Sequence, residues 1–362
     1  MTANATARTP LISVLIDTYN HERFIAQAIE SVLEQDFPAS EMEILVVDDG
    51  STDSTGSIAQ KFGPRVQYLR KSNGGQASAF NFGIPRLRGE IVAFLDGDDT
   101  WTKEKLRVVA EVFEKHPEVG AVGHGLYQMD TRGNILGTVV PDRTYHLAVR
   151  TADDARQFDR LKGFFGTSKV AYRRSVLDRV LPVPEELVFE ADEFLWTMAV
   201  AVSDAIALDL PLFCYRFHDS NLYMATGNSP QRARQKYQVL SALLHHLPMR
   251  LEAVGVAPDI RAALLYSLRV DTDRLRLELD GGSRWEMFAN ERAANRLAYR
   301  DEGVGYRLFK GLVLGLTLVL PPQQFGRLKQ WYGARDLRRL RRLVGEPVSA
   351  IPVVERKAGV ST

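Results

Sequence analysis

Sulfur chemistry and long apolar runs are what this sequence has least of. Its 362 residues include a single cysteine, Cys214, which cannot form an internal disulfide or a thiolate metal cluster, so nothing asks for an oxidising compartment. Cys214 reads as a small buried filler rather than a nucleophile. A membrane-spanning helix needs roughly 20 consecutive apolar residues, and the nearest run, Gly311 to Leu320, has about half that length. The leading MTANATARTP lacks the apolar centre of a secretory signal, so a cytoplasmic protein is expected. No sign of charge dominates. The 46 basic and 45 acidic side chains leave a formal net charge of +1, which gives no global argument for a nucleic-acid partner, and none is expected. The patterns GxGxxG and GxxxxGK[ST] are absent, which speaks against a dinucleotide oxidoreductase and a phosphate-loop kinase. The missing GxSxG speaks against a Ser-His-Asp hydrolase.

What is present is a globular composition, 45% hydrophobic and 25% charged, in a chain long enough for one large domain or a domain with an appendage. Strand-like runs at Ile12 to Asp17, Ile44 to Val47, Val66 to Leu69 and Ile91 to Leu95 alternate with helical stripes such as Phe24, Ile25, Ala28, Ile29, Val32 and Leu33. That alternation predicts an α/β fold whose central sheet is mostly parallel and covered by helices. In such sheets the ligand crevice lies beyond the carboxyl ends of the strands, so Thr18 to Asn20, Asp48 to Asp53 and Asp96 to Asp99 can converge. Lys103 to His116 reads as a covering helix stopped by Pro117. Asp130 to Arg160 is polar and weakly periodic and reads as a loop or small insertion. Glu190 to Val202 reads as a helix and Ala207 to Phe213 as a strand. From about Ser229 the chain turns to helix-compatible stretches rich in Leu, Arg and Ala, which divides it into a catalytic unit over 11–228 and a mainly helical region over 229–350.

The densest chemistry is FLDGDD, where an apolar strand delivers Asp96, Asp98 and Asp99 into one loop. Carboxylates so close repel unless donors or a hard divalent cation compensate them. Asp48, Asp49 and Asp53 also follow an apolar strand, so two acidic loops face one crevice in this reading. Asn73-Gly74-Gly75-Gln76 supplies compact backbone for close approach to a ligand.

Taken together, VLIDTYNHERFIAQAIESVLEQDFP, VVDDGSTDST, NGGQASAFNFG and FLDGDD resemble, in order and spacing, glycosyltransferase family 2 enzymes with the GT-A fold. The resemblance covers about Leu11 to Leu222. It implies a Rossmann-like nucleotide-binding half, a nucleotide-sugar donor (UDP-linked first, GDP and dTDP as alternatives), a Mg2+ or Mn2+ ion, and inverting transfer of the sugar to a glycan or lipid-linked acceptor. Carried over by position, Thr18, Tyr19 and Glu22 line the nucleotide pocket, Asp49 recognises the base, and Gln76 lies beside the nucleotide. Asp17 stands where the family often has proline, and Phe80 where it often has arginine. Asp96, Gly97 and Asp98 match the DxD motif, with Asp98 as principal metal ligand. EADEFLW resembles the acceptor-side motif whose carboxylate deprotonates the acceptor hydroxyl, which assigns that role to Asp192 with Glu193 one residue away. YRFHDSN places Arg216 at the donor phosphates and makes His218 a phosphate or metal ligand. GFFGTSKVAYRR puts Gly166, Thr167 and Ser168 beneath the cleft.

Two other functions share parts of this pattern: a nucleotidyltransferase that makes the activated sugar, and a sugar- or nucleotide-binding protein without transfer. The first would want a Gly-rich, basic N-terminal loop that is missing here; DGDD and Asp192 argue against the second. Finally, YRLFKGLVLGLTLVLPP precedes a segment with Arg327, Lys329, Arg335, Arg338, Arg339, Arg341 and Arg342. An apolar patch beside positive charge predicts shallow, salt-sensitive attachment to the cytoplasmic face of an anionic membrane.

Overall fold

The computed structural model describes residues 11–218, 230–298, 304–321 and 324–325. The first strand, β1 (Ile12–Thr18), is buried on both faces, as parallel strands covered on both sides are. It lies between β2 (Met42–Asp48) and β4 (Ile91–Asp96), and β3 (Gln67–Arg70) adds to β2; all these pairings are parallel. The other half of the sheet is mixed. β9 (Val170–Arg173) runs antiparallel between β4 and β6 (Val119–Met129), and β6 pairs in parallel with the long β10 (Asp204–Arg216). The order is β3-β2-β1-β4-β9-β6-β10-β5, where β5 is Thr100–Trp101. The run of adjacent parallel strands, β3-β2-β1-β4, therefore forms a Rossmann-like N-terminal half, and the other half mixes antiparallel pairings with the parallel β6-β10 pair.

Helices cover both faces. In α1 (Ile25–Leu33) the buried residues Ile25, Ala28, Ile29 and Val32 follow the helical repeat. With α2 (Thr55–Ala59) and α4 (Lys105–Lys115) they close one core, built on Val14, Ile16, Val46 and Leu95. The opposite core takes Leu15, Val47 and Phe94 from the sheet. Against them pack α3 (Gly75–Gly83), α6 (Arg174–Val180) and α7 (Ala191–Val202). The same core continues into Leu243 and Leu247 of α8 (Pro230–Ala253), Leu264 of α9 (Pro258–Leu264) and Leu268 of α10 (Tyr266–Asp280). Beyond it, α11 (Arg284–Ala298) and α12 (Val304–Val319) pack on each other, and Leu277, Met287 and Phe325 form a small separate cluster.

The stretch read as a loop over 130–160 is ordered. It holds β7 (Ile135–Val139) on β6, β8 (Tyr145–Leu147) on β10, and α5 (Ala152–Leu161). α5 starts at a capping box in which Thr151 and Asp154 satisfy each other's backbone N–H. Its buried residues are only Ala155, Phe158 and Leu161, a stripe too narrow to stand out among its charges.

Candidate active site

Three loops meet at the carboxyl ends of β1, β2 and β4, because the register sets Thr18 beside Asp48 and Asp17 beside Asp96. The first two loops are tied together by side chains. Asn20 N donates to Ser51 Oγ (2.9 Å), His21 N to Thr55 Oγ1 (2.8 Å), and Ser54 N to Glu22 Oε2 (2.9 Å). Asn20 itself sits at φ +57, a conformation asparagine tolerates better than most residues. Thr18 is buried, whereas Tyr19 is 45% exposed at the rim. Glu22 thus holds the second loop through Ser54 while Tyr19 is free to face a ligand.

Asp49 is buried and cradles the glycine turn. Its Oδ2 accepts from Gly75 N at 2.7 Å, and its Oδ1 accepts from Gly74 N at 3.0 Å and Lys71 Nζ at 2.6 Å. Gly75 is required there: its φ is +82, and a Cβ would lie 2.5 Å from Val188 Cα. The next residue, Gln76, bridges to the acceptor side. Its Oε1 accepts from Ala191 N (2.9 Å) and its Nε2 donates to Thr167 Oγ1 (3.0 Å). Phe80 points into the core, edge-on to Phe94 at 5.1 Å between ring centroids.

In the DGDD loop, Gly97 N donates to Asp17 O (2.9 Å), and a Cβ on Gly97 would meet Thr18 Oγ1 at 2.5 Å. Asp98 faces two imidazoles, with His218 Nε2 at 3.0 Å and His21 Nε2 at 3.7 Å from its Oδ2. Burial acts to raise its carboxyl, but His21 and His218 hold it below the usual range. Arg216 lies under this loop, almost fully buried. It donates from its backbone N to Asp99 Oδ1 (3.0 Å), from Nε to Asp98 O (2.9 Å) and from Nη2 to Gln27 Oε1 (2.7 Å). Phe24 packs against both Arg216 and the His218 ring.

Negative charge is crowded here. Ser168 Oγ lies 3.0 Å from Asp96 Oδ2 and 2.7 Å from Asp99 Oδ2. One hydroxyl proton serves one of these carboxylates, so the other is best matched by carrying a proton itself. Burial first, and then Asp98, pushes Asp99 up to about 8. Burial, then Asp17, Asp99, Asp98 and Asp192, raises Asp96 strongly. Asp17 is pushed up to about 8 by burial against the pull of its own backbone, with Asp98, Asp192 and Asp49 adding to the rise; its Oδ1 is buried without a partner. Two lysines stand behind the cluster: Lys105 Nζ donates to Ser168 O (2.7 Å) and Lys169 acts on Asp192, Asp99 and Asp96.

Across from the cluster, Asp192 opens α7. Its Oδ2 accepts from Thr167 N (3.1 Å) and Thr167 Oγ1 (3.3 Å), and Gly166 lies alongside, its added Cβ reaching Oδ2 at 3.4 Å. Burial lifts the carboxyl to about 6, opposed by the Thr167 bond and by Lys169. Its neighbour Glu193 points away, to Lys162 Nζ at 2.8 Å. Sequence reasoning missed His21, Lys71, Lys105 and Lys169 as partners of the acidic groups. Only His21, three residues after Thr18 in the same strand-end turn, carried a local signal.

A cluster of buried carboxylates that includes one orphaned oxygen, Asp17 Oδ1, suits a hard divalent cation, which takes oxygen ligands and offsets such charge. The donor set therefore fits Mg2+ or Mn2+.

Among known proteins, residues 13–181 match Glycosyl transferase family 2. An uncharacterised glycosyltransferase of Nostoc sp. is 33% identical over 272 residues, which cover 73% of this chain and 79% of that protein. TarS of Staphylococcus aureus, a poly(ribitol-phosphate) beta-N-acetylglucosaminyltransferase, is 32% identical over 192 residues, 51% of this chain and 31% of TarS. The solved structure of TarS residues 1–349 with UDP is similar at a TM-score of 0.49 and 21% identity, covering 79% of this chain and 87% of that one.

Proposed function

Because this chain belongs to glycosyltransferase family 2, we propose that it transfers a sugar, with inversion, from a nucleotide-sugar donor to a hydroxyl of a glycan or lipid-linked acceptor in cell-surface polysaccharide or glycolipid biosynthesis. The donor in this proposal is UDP-linked first, then GDP- or dTDP-linked. The observation that supports it most is geometric: the register sets Thr18 beside Asp48 and Asp17 beside Asp96, and Gln76, next to the turn that Asp49 holds, bonds Ala191 N and Thr167, so the loops of Asp49, Asp98 and Asp192 adjoin one another. In this proposal the carboxylates for metal, for base and for nucleotide share one cleft. The similarity to TarS, an enzyme that glycosylates poly(ribitol-phosphate), supports a polymeric acceptor class.

In this reading Thr18, Tyr19, Glu22 and Asp49 form the nucleotide side, Gln76 beside them links it to the acceptor side through Ala191 and Thr167, and Arg216 lies behind the phosphate position. Asp192, held by Thr167 N, takes the proton of the acceptor hydroxyl. The acceptor oxygen then bonds to the anomeric carbon as the bond to the diphosphate oxygen breaks, and the electron pair leaves with the nucleoside diphosphate. A positioned base contributes ~10²- to 10⁴-fold to such a step. Asp98, with Asp96 and His218 beside it, would hold Mg2+ or Mn2+, which when bound offsets the charge gathering on the diphosphate.

For the chain as a whole, this proposal gives the chemistry to residues 11–228 and treats 229–350 as an extension whose described part is helical. Peripheral membrane contact belongs to the proposal too. No helix among the described residues is long and apolar enough to cross a membrane, yet α12 exposes Leu312 (76%), Leu316 (40%) and Val319 (66%), spaced along one helical face. The arginine-rich segment from Arg327 to Arg342 lies outside the described residues.

A panel of UDP-, GDP- and dTDP-sugars with Mg2+ or Mn2+ and cell-envelope acceptors tests the function. Nucleoside diphosphate release with a mass-shifted product is the expected result. Pyrophosphate-dependent exchange would identify a nucleotidyltransferase, and binding without turnover a carrier.

A further inference from the structure

At the rim of the sheet opposite the acidic cleft, a second group of metal-ligating side chains comes together. β4 ends at Asp96 in the cleft, and β9 runs antiparallel to both β4 and β6, so β6 is oriented like β4. The amino ends of β6 and of its parallel neighbour β10 therefore point away from the cleft. Here α4 ends at His116, Glu118 precedes Val119 of β6, His146 stands on the short strand β8, and Asp204 begins β10.

His116 Nδ1 lies 3.3 Å from Glu118 Oε1, and His146 Nε2 lies 3.9 Å from the same oxygen. One ligand atom from each of the three falls within 4.8 Å of the others. Ligand bonds of about 2.0–2.2 Å in a tetrahedron separate donor atoms by roughly 3.3 Å, so small rotations bring all three onto one ion. The imidazole planes are nearly perpendicular, at 83°, and do not stack against each other. All three side chains are between 42% and 48% exposed, which leaves an entry path and room for water in a fourth position. Without the ion, His146 Nε2 is hydrogen-bonded to Asp204 Oδ2 at 3.0 Å, a contact it gives up on turning to the metal, and Asp204 keeps its ion pair with Arg150.

We propose that His116, Glu118 and His146 form a three-ligand site for Zn2+ or a similar borderline transition metal, separate from the aspartate cluster. Two imidazoles and one carboxylate suit zinc, whereas Mg2+ and Mn2+ prefer all-oxygen sites. The site clips β8, a three-residue strand held to β10, onto the turn between α4 and β6. It acts on the stability of the region around β7 and β8 and leaves the transfer chemistry alone.

The test uses the full chain, stripped with a chelator and returned to millimolar Mg2+ to occupy oxygen-rich sites. Zn2+ is then titrated in competition with a chromophoric chelator, and Co2+ is added as a spectroscopic probe. One equivalent of tight Zn2+, a visible cobalt spectrum of low coordination number, and slower amide exchange at Tyr145 to Leu147 are expected. His116→Ala and His146→Ala should each weaken Zn2+ binding at least 100-fold, and Glu118→Gln should weaken it less. Circular dichroism checks that each variant is folded, and exposed positions tolerate such changes. An unchanged zinc stoichiometry in both histidine variants, or no zinc bound by the wild-type chain in Mg2+, would overturn the proposal.

Discussion

The Oδ2 of Asp98 and the Nε2 of His218 lie 3.0 Å apart although 120 residues separate them in sequence. β10 makes this possible. It carries the chain back along β6 to Arg216, whose backbone N–H and guanidinium fasten the DGDD loop before His218 closes over Asp98. Asp98→Ala should therefore reduce transfer on the order of 100-fold or more with the fold intact. His218→Asn should shift the metal dependence to higher concentration. Metal titrations of initial rate decide both; full turnover by folded Asp98→Ala in chelator-treated buffer would remove Asp98 from the metal role.

Asp192 and Glu193 are adjacent but differently employed, and this separates their predicted phenotypes. Asp192→Asn should keep donor affinity by calorimetry and lose ~10²- to 10⁴-fold in product formation. Glu193→Gln loses an ion pair with Lys162 and should leave turnover within a few-fold. Because Asp192 must be ionised to accept a proton and its carboxyl sits at about 6, activity should rise as pH passes through about 6. A variant ranking in which Glu193→Gln is the dead enzyme would move the base by one position.

The same burial makes the protein's stability depend on pH. Asp17 and Asp99 rise from 3.8 to about 8 and Asp192 to about 6 on folding, so between about 4 and 8 the folded chain holds protons that the unfolded chain has released. Stability then falls as pH rises through this window. Thermal midpoints of the metal-free protein should drop from pH 5 to pH 8.5, and Asp17→Asn should flatten the decline. A midpoint that climbs over this range would show that these carboxyls are already ionised and compensated at low pH.

Much of this site was legible because strands read as apolar runs and their polar ends are local in sequence: Asp49, Asp96 and Asp98 needed only that pattern and the rule that ligands bind beyond carboxyl ends. The tertiary partners were not. Lys105 looks like the start of an amphipathic helix, and only packing shows its ammonium buried beneath Ser168 and over the Trp101 ring. Asp17 occupies a strand position where its side chain direction, rather than its identity, decides that it joins the carboxylate cluster. The edge strands β7 and β8 escaped because short strands on a mixed sheet lack a repeat long enough to read, whereas α5 hid its narrow stripe among charges.

Gln76 offers a test of positioning without contact to reacting atoms. It is the acceptor for the first N–H of α7 and a donor to the Thr167 hydroxyl that touches Asp192. Gln76→Ala leaves a buried N–H unpaired, at a cost of about 1–3 kcal/mol, and should lower kcat more than it raises KM for the acceptor. Gln76→Glu, which restores an acceptor for Ala191 N–H, should recover much of the lost stability in denaturant melts. Equal stability of the alanine variant and wild type would mean that α7 does not need this cap.

The proposed membrane contact through α12 rests on an apolar face that the rest of the described chain leaves open. Leu312, Leu316 and Val319 project from one side of the helix, whereas Thr317 is fully buried against its neighbours. Burying such a face in lipid gains about 25 cal/mol for each Å² of apolar surface removed from water, but three side chains alone give weak, reversible binding. Positive charge from the following segment would add an attraction that salt screens over about 10 Å at 0.1 M. The full chain should float with vesicles containing anionic lipid at low salt and less so at high salt. Leu312→Asp together with Leu316→Asp should abolish flotation, while turnover on a soluble acceptor stays near wild type because both side chains are exposed and belong to neither core that carries the cleft. Equal flotation of the double variant would shift the membrane contact away from α12, and no flotation of either would leave this face for another partner.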